Sequence, residues 1–334
     1  MDSAIEPCFW MGGRLATELV EITNNPEDID WDSKDFWAIT TTFAGEFIGA
    51  RFKTVSDSDW PYPFKELQKN SWVSSHDREM YCQLVANIRE EIAAGNVYQV
   101  NACRILSCES AEGISGLLAG FLKHNPAKYA GYLKIPGLEI ASASPETFLT
   151  RTGQILRTSP IKGTRPLGVV GEFPEKDQSE NIMIVDLMRN DLSKIARPRS
   201  VMVEELFGVY TYKNVHQMIS TVSCELNENT TFSEILKATF PMGSMTGAPK
   251  VRAMQLIDEY EGFARNLFSG CLGYFLPGGD FDLNVVIRTV FFDSRTEIAV
   301  CRSGSAITAN ADAKYEYDEC LLKLETLINS LVCD

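Results

Sequence analysis

The chain reads as an α+β protein. Runs of strand-like segments are broken by long helical ones, without the strict β-α alternation of a doubly wound sheet. The helical segments carry apolar residues at three- and four-residue spacing, and no repeat, low-complexity tract or flexible linker interrupts them. The 334 residues suit one large domain or two ordinary ones and are enough for a sizeable core.

The elements follow in order. FWAITTTFAGEFIGARF (36–52) predicts strands and SDSDWPYPF (56–64) a loop. DREMYCQLVANIREEIAAGN predicts a helix over about 75–95 that stops at Gly95-Asn96. VYQVNACRILSC (97–108) alternates as a strand, and ISGLLAGFLKHNP (114–126) is a short helix ended by proline. YAGYLKIPG, LEIASASPETFLTRTG and QILRTSPIKGT predict strands, and 176–196 a long helix. A strand (215–226), a helix ending before Pro241 and a helix over 248–261 with proline near its start come next. SGCLGYFLPGG, FDLNVVIRTVFFD and TEIAVCRSGSAIT read as a three-stranded meander, and AKYEYDECLLKLETLINSLV as the closing helix, with Leu321, Leu322, Leu324 and Leu327 as core.

Composition bounds the function. The net charge of −14 and pI near 4.8 argue against nucleic acid or an anionic membrane as main partner. An anionic substrate would need a metal or local cations to reverse the field. Nine cysteines, Cys333 among them, lack any C-x-x-C spacing, and no signal peptide is evident. Reduced thiols in a cytoplasmic protein are the expectation. No apolar run reaches the length of a membrane span. With three histidines, a metal would be held by oxygen.

Several groupings are suited to chemistry. Glu316, Glu319 and Lys323 are spaced i, i+3, i+7 and share a helix face, as do Asp177 and Glu180 at i, i+3. Two such helices facing each other would offer oxygens to one hard cation; alone, each is a solvated face. PMGSMTGAPKVRAMQLI (241–257) is a glycine-rich loop before a helix, a cradle whose Thr246, Gly247 and Ala248 amides suit an anion. It lacks the lysine placement of a nucleotide P-loop. Arg288 in VVIRTV is an arginine in an apolar strand and needs an anion. Lys162 lies between apolar residues and a Gly-Thr turn, with Pro160 and Pro166 on either side, and Glu146 precedes it by sixteen positions. The pair is a salt bridge or an acid/base beside an amine. His216, in an apolar strand, suits a satisfied core residue or a catalyst.

SPETF, SPIKGT, ENIMIVDLMRNDL, GSMTGAPKVRAMQLIDE, GCLGYF, VVIRT and YEYDECLLK together resemble the chorismate-utilising enzyme family over about 75–330, with 1–74 a shortened N-terminal portion. The resemblance implies one α+β domain over 1–334, with two antiparallel β-sheets packed face to face, helices outside, and a site in the cleft between lobes. PIKGT at Lys162, where anthranilate- and salicylate-forming members resemble PIAGT, implies transaminase-class amination of chorismate to 4-amino-4-deoxychorismate, on the route to p-aminobenzoate and folate. Lys162 would be the nucleophile at C2 of the ring, Glu146 the acid/base beside the C4 hydroxyl, and His216 a catalytic or orienting group. Glu180, Glu316 and Glu319, with Asp177, resemble Mg²⁺ ligands. Thr246, Gly247, Tyr274, Arg288, Gly304 and Lys323 match positions that grip substrate. Gln99 stands where water-adding members carry a lysine base. Ala306 replaces a family glycine, and the feedback pocket of the N-terminal portion is not expected intact. No glutaminase elbow is present, so ammonia would come from a separate glutamine amidotransferase subunit. Anthranilate formation, a catalytically idle chorismate-binding subunit, and a pyridoxal-phosphate enzyme are the alternatives.

Overall fold

The structure is a computed structural model that describes residues 5–64, 72–110, 113–124, 126–169, 171–212 and 215–329. Cys333 and the last residues of the closing helix lie outside them.

Among the described residues six α-helices form: α1 (Arg78–Ala93), α2 (Leu117–His124), α3 (Glu175–Ser193), α4 (Phe232–Thr239), α5 (Lys250–Glu261) and α6 (Ala313–Asn329). Their starts follow local chemistry. Asp77 caps α1 by accepting from the Met80 amide, and Thr231 and Glu234 form a reciprocal capping box on α4. Gly262, with φ +69°, ends α5 in the left-handed conformation that glycine adopts without penalty.

All strand pairings are antiparallel, and they resolve into two sheets. In the first, Phe47–Asp57 pairs with Phe36–Thr41, which pairs with Cys271–Phe275, then Phe281–Val285, Thr147–Thr152, Ile155–Ser159 and Val215–Glu225. Ile161–Pro166 and Met202–Thr211 complete it on Val215–Glu225. In the second, Tyr129–Ile135 pairs with Leu138–Ser144, then Thr289–Asp293, Ile298–Thr308 and Gln99–Glu109. The hairpin Cys8–Met11/Arg14–Thr23 stitches the two together, one arm on each sheet. Its two-residue turn is Gly12-Gly13, both at positive φ, the geometry that tight hairpins require.

The sheets pack face to face. One core cluster takes Phe36, Ala50, Phe52 and Leu272 from the first sheet and Phe9, Tyr129, Leu133, Ile140 and Phe291 from the second. The outer face of the first sheet buries α3 and α4 through Ile184, Met188, Phe232 and Ile235. The outer face of the second is covered by α2 with Leu324 and Leu327 of α6. The expected α+β architecture of two antiparallel sheets with helices outside is therefore observed.

Three readings change. The predicted meander does not form: FDLNVVIRTVFFD breaks at Val286–Arg288, so Phe281–Val285 stays in the first sheet and Thr289–Asp293 joins the second. The break is local, because Arg288 has φ +49°, outside the extended region a strand needs. Met202–Thr211 is a strand without an apolar alternation to announce it, since Met202, Leu206 and Val209 are exposed. Leu322 is 63% exposed rather than core.

Phe232 has no exposed surface and meets Trp31, Phe47, Phe275 and Phe281 edge-on. Phe232→Ala should lower unfolding free energy by about 4 kcal/mol, read from the shift of the urea midpoint at unchanged slope.

Candidate functional site

The two direct passages between sheets build the centre of the site. Leu138–Ser144 of the second sheet runs through Pro145-Glu146 into Thr147–Thr152 of the first. Phe281–Val285 of the first runs through Val286–Arg288 into Thr289–Asp293 of the second. The passages lie side by side: the Val285 amide donates to the Glu146 carbonyl (3.0 Å) and the Ala143 amide to the Arg288 carbonyl (2.9 Å). Glu146 and Arg288 are thereby brought into electrostatic contact, although 142 positions apart.

Glu146 is 7% exposed and its Oε1 has no hydrogen-bond partner. Burial raises its pKa, against the pull of Lys162, the Ser244 hydroxyl and Arg288. Burial likewise lowers the Arg288 pKa, and Glu146 opposes it. Lys162 lies on Ile161–Pro166, half-buried, at a register shift against Val215–Glu225. Its charge lowers the pKa of Glu146 and of Asp177 and Glu180 of α3, in each case against the effect of burial. Gly163 beside it has φ +86°, and a Cβ there would stand 2.7 Å from the Phe173 ring and 3.0 Å from Asp177 Oδ2. Only glycine lets the lysine strand lie so close to α3.

The remaining carboxylates come from both sheets. Asp177 and Glu180 project from α3, Glu316 and Glu319 from α6. Burial raises Asp177, with Lys176 opposing and Glu319 adding. Burial raises Glu180, with Lys162 and Lys176 opposing and Asp177 and Glu319 adding. Burial also raises Glu316, whose neighbours include Ser305, Glu319, Lys176 and Lys323. Lys176 Nζ approaches Glu316 Oε1 at 3.8 Å across the two helices. Lys323 pairs with Glu319 (2.7 Å) and donates to the Gly304 carbonyl (3.0 Å). A Cβ on Gly304 would meet the Ala102 carbonyl oxygen at 2.4 Å, which explains the glycine.

Among the described residues, no three acidic, histidine or cysteine side chains are grouped so as to hold a metal ion. Two of the four carboxylates expected to bind Mg²⁺ are buried. Glu316 is 2% exposed and its buried Oε1 has no hydrogen bond, while Glu180 is 9% exposed. Lysines balance the excess of carboxylates in this arrangement.

Other expectations are met in part. Gln99 is 1% exposed with both amide atoms unpartnered, beside the short bridge that Gly247-Ala248 makes to Gln99-Val100. A Cβ on Gly247 would fall 2.1 Å from the Gln99 carbonyl oxygen. The cradle differs from its sequence reading: the Thr246 amide closes a turn on the Gly243 carbonyl (3.3 Å), and its hydroxyl donates inward to Met242 (3.1 Å). His216 neighbours Lys162's strand, opposite Arg165, with Nδ1 3.0 Å from Thr211 Oγ1. Tyr274 packs in the core between the sheets, stacked on Phe36 under the Arg14 guanidinium (4.6 Å). The structure brings neither of these two into the carboxylate group.

Ser244, Lys176 and Asp191 escaped the sequence reading. Asp191 pins Lys194 (2.8 Å) and Lys250 at the start of α5. It lies eleven positions after Glu180, on the same stripe of α3, and that spacing was the available signal. Nothing in the sequence pointed to Lys176 or Ser244.

The chain belongs to the chorismate binding enzyme family, whose model matches residues 50–329. It is 38% identical over 269 residues to aminodeoxychorismate synthase of Streptomyces griseus, covering 77% of this chain and 37% of that one. It is 36% identical over 273 residues to aminodeoxychorismate synthase component 1 of Escherichia coli, covering 78% of this chain and 60% of that one. The chain thus spans between about a third and three fifths of these relatives' length. Anthranilate synthase component I from Streptococcus pneumoniae shares the fold, with TM-score 0.82 over 98% of this chain and 94% of that one at 20% identity.

Glu146 sets a pH test. A carboxyl whose pKa is higher folded than unfolded binds more protons in the native state, so its contribution to stability falls as pH rises from the unfolded value through the folded one. Glu146→Gln should therefore melt above wild type at pH 8, with the gap closing toward pH 4, followed by thermal denaturation across that range.

Proposed function

We propose that this chain aminates chorismate to 4-amino-4-deoxychorismate, using Mg²⁺ and ammonia supplied by a glutamine amidotransferase partner. The observation that carries the reading is the PIKGT lysine, Lys162, whose charge acts on buried Glu146 and on the α3 carboxylates Asp177 and Glu180. The relatives named as aminodeoxychorismate synthases support it, and the word "component" in the name of the Escherichia coli relative supports a second subunit.

In this reading the Lys162 amine bonds to C2 of the ring. Both ring double bonds shift, C1=C2 to C1=C6 and C5=C6 to C4=C5, and the C4 hydroxyl leaves as water with Glu146 giving the proton. Ammonia then bonds to C4, both shifts are reversed, and the C2–nitrogen bond to Lys162 breaks. Glu180, Glu316 and Glu319, with Asp177 beside them, would hold the Mg²⁺, which supplies charge neutralisation for the ring carboxylate. Arg288 and Lys323 hold substrate carboxylates, with Thr246, Gly247 and Gly304 lining their approach. Gln99 occupies its position without a basic amine, so water is not activated there. His216 orients the ring from the strand beside that of Lys162, and Tyr274, packed on Phe36 under Arg14, takes no part in these steps. The protein works in the cytoplasm, and a lyase step removes pyruvate from the product. Among the described residues no helix is long and apolar enough to cross a membrane.

Product mass spectrometry from chorismate, Mg²⁺ and ammonium tests the reaction. Wild type should yield 4-amino-4-deoxychorismate, and Lys162→Ala should lose at least about 100-fold in rate or divert to a 2-amino product. Anthranilate from wild type would overturn the reading. For the metal, millimolar Mg²⁺ should raise the melting temperature of wild type, and Glu316→Gln should abolish that shift without needing turnover.

A further inference from the structure

A completely buried ion pair lies beneath the loop that carries Ser244, Thr246 and Gly247. Glu261, at the end of α5, and Arg265 each have side chains 1% exposed. Arg265 Nε donates to Glu261 Oε2 (2.9 Å) and Nη2 to Oε1 (2.5 Å). The same guanidinium donates to the Met245 carbonyl through Nη1 (2.8 Å) and to the Asn101 carbonyl through Nη2 (2.7 Å). Glu261 in turn accepts from the Cys103 amide (2.9 Å) and thiol (3.3 Å). The Phe43 ring lies 4.7 Å over the guanidinium.

The neighbouring carbonyls are held from the same strand. Asn101 Nδ2 donates to the Ser244 carbonyl (2.9 Å), and the Asn101 amide to the Thr246 carbonyl (2.8 Å). Three successive loop carbonyls, 244 to 246, are thus fixed by Asn101 and Arg265, and Asn101 is itself fixed by Arg265. With its carbonyls committed, the loop has one orientation left, the one that sets the Ser244 hydroxyl beside Glu146 and Gly247 against Gln99.

A pair whose only role is stability is an expensive choice here. Two desolvated charges are often matched in stability by apolar residues of similar volume. Three hydrogen bonds to backbone, two donated by Arg265 and one accepted by Glu261, point to geometry instead. We infer that Arg265, locked by Glu261, is a positioning residue for the substrate loop, acting through the Met245 and Asn101 carbonyls. The inference rests on the proposal that chorismate is the substrate of this site.

Arg265→Lys tests it. Lysine keeps the buried charge opposite Glu261 but cannot donate to the carboxylate and both carbonyls in the guanidinium's planar arrangement. Total chorismate consumption, whatever the product, is followed with the melting temperature. The expected result is a rise of about tenfold in KM for chorismate, equal to about 1.4 kcal/mol, with KM for ammonium unchanged. A merely structural role would reduce the folded fraction and so lower apparent kcat with KM unmoved, and that result, or wild-type kinetics, overturns the inference. Should Arg265→Lys not fold, the double variant Glu261→Met/Arg265→Met removes both charges together. Recovered folding with KM still raised supports positioning, and wild-type KM overturns it. If wild type itself consumes no chorismate, the proposed function fails and not the role of Arg265.

Discussion

Two strand-to-strand passages, adjacent in space, carry a carboxylate and a guanidinium out of the ladders and into the seam between the sheets. Ladder hydrogen bonding would otherwise fix Glu146 and Arg288 on one sheet or the other. The passages exchange backbone hydrogen bonds with each other, so neither side chain can move without disturbing both sheets. Arg288 holds φ +49° there, a conformation that costs about 1–3 kcal/mol and persists because both flanking strands are committed to different sheets. Everything else in the site is arranged around this seam.

Lys162 and the α3 carboxylates approach from the first sheet, and α6 with Gly304 and Lys323 from the second. The carboxylate group is therefore split between two halves that share few covalent connections nearby. Its burial is unfavourable by itself, as the uniformly raised pKa values of Glu146, Asp177, Glu180 and Glu316 indicate. Lysines at 162, 176 and 323 offset part of that cost. With an overall charge of −14, these lysines are the local cations that oppose the field of the carboxylates at the seam.

The loop between α4 and α5 supplies the floor. Its glycine at 247 admits the Gln99 strand at a distance that any Cβ would forbid, and Asp191 anchors the following helix through Lys250. Rigid support of this kind is what an arrangement of unpaired donors and acceptors needs, because Gln99, Glu146 and Glu316 all keep buried polar atoms without partners. Such atoms are held in place by their backbone, not by each other.

Much of this was legible in the residues alone. Helical spacing put Asp177 with Glu180 and Glu316 with Glu319 and Lys323 on shared faces, and capping and proline signals bounded the helices to within a few residues. Those features are local: they depend on the 3.6-residue period and on backbone chemistry within a turn. The resemblance of seven motifs added the α+β architecture and the family. What tertiary structure alone decided is which local pieces meet. Glu146 and Arg288 come together because a strand changes sheet at a left-handed residue, and an apolar run such as VVIRTV carries no sign of that change. Ser244 and Arg265 act through backbone carbonyls, which have no identity in sequence. His216 and Tyr274 match motif positions yet sit beside or behind the carboxylate group, since a motif fixes the backbone path while neighbouring side chains settle where each ring is held.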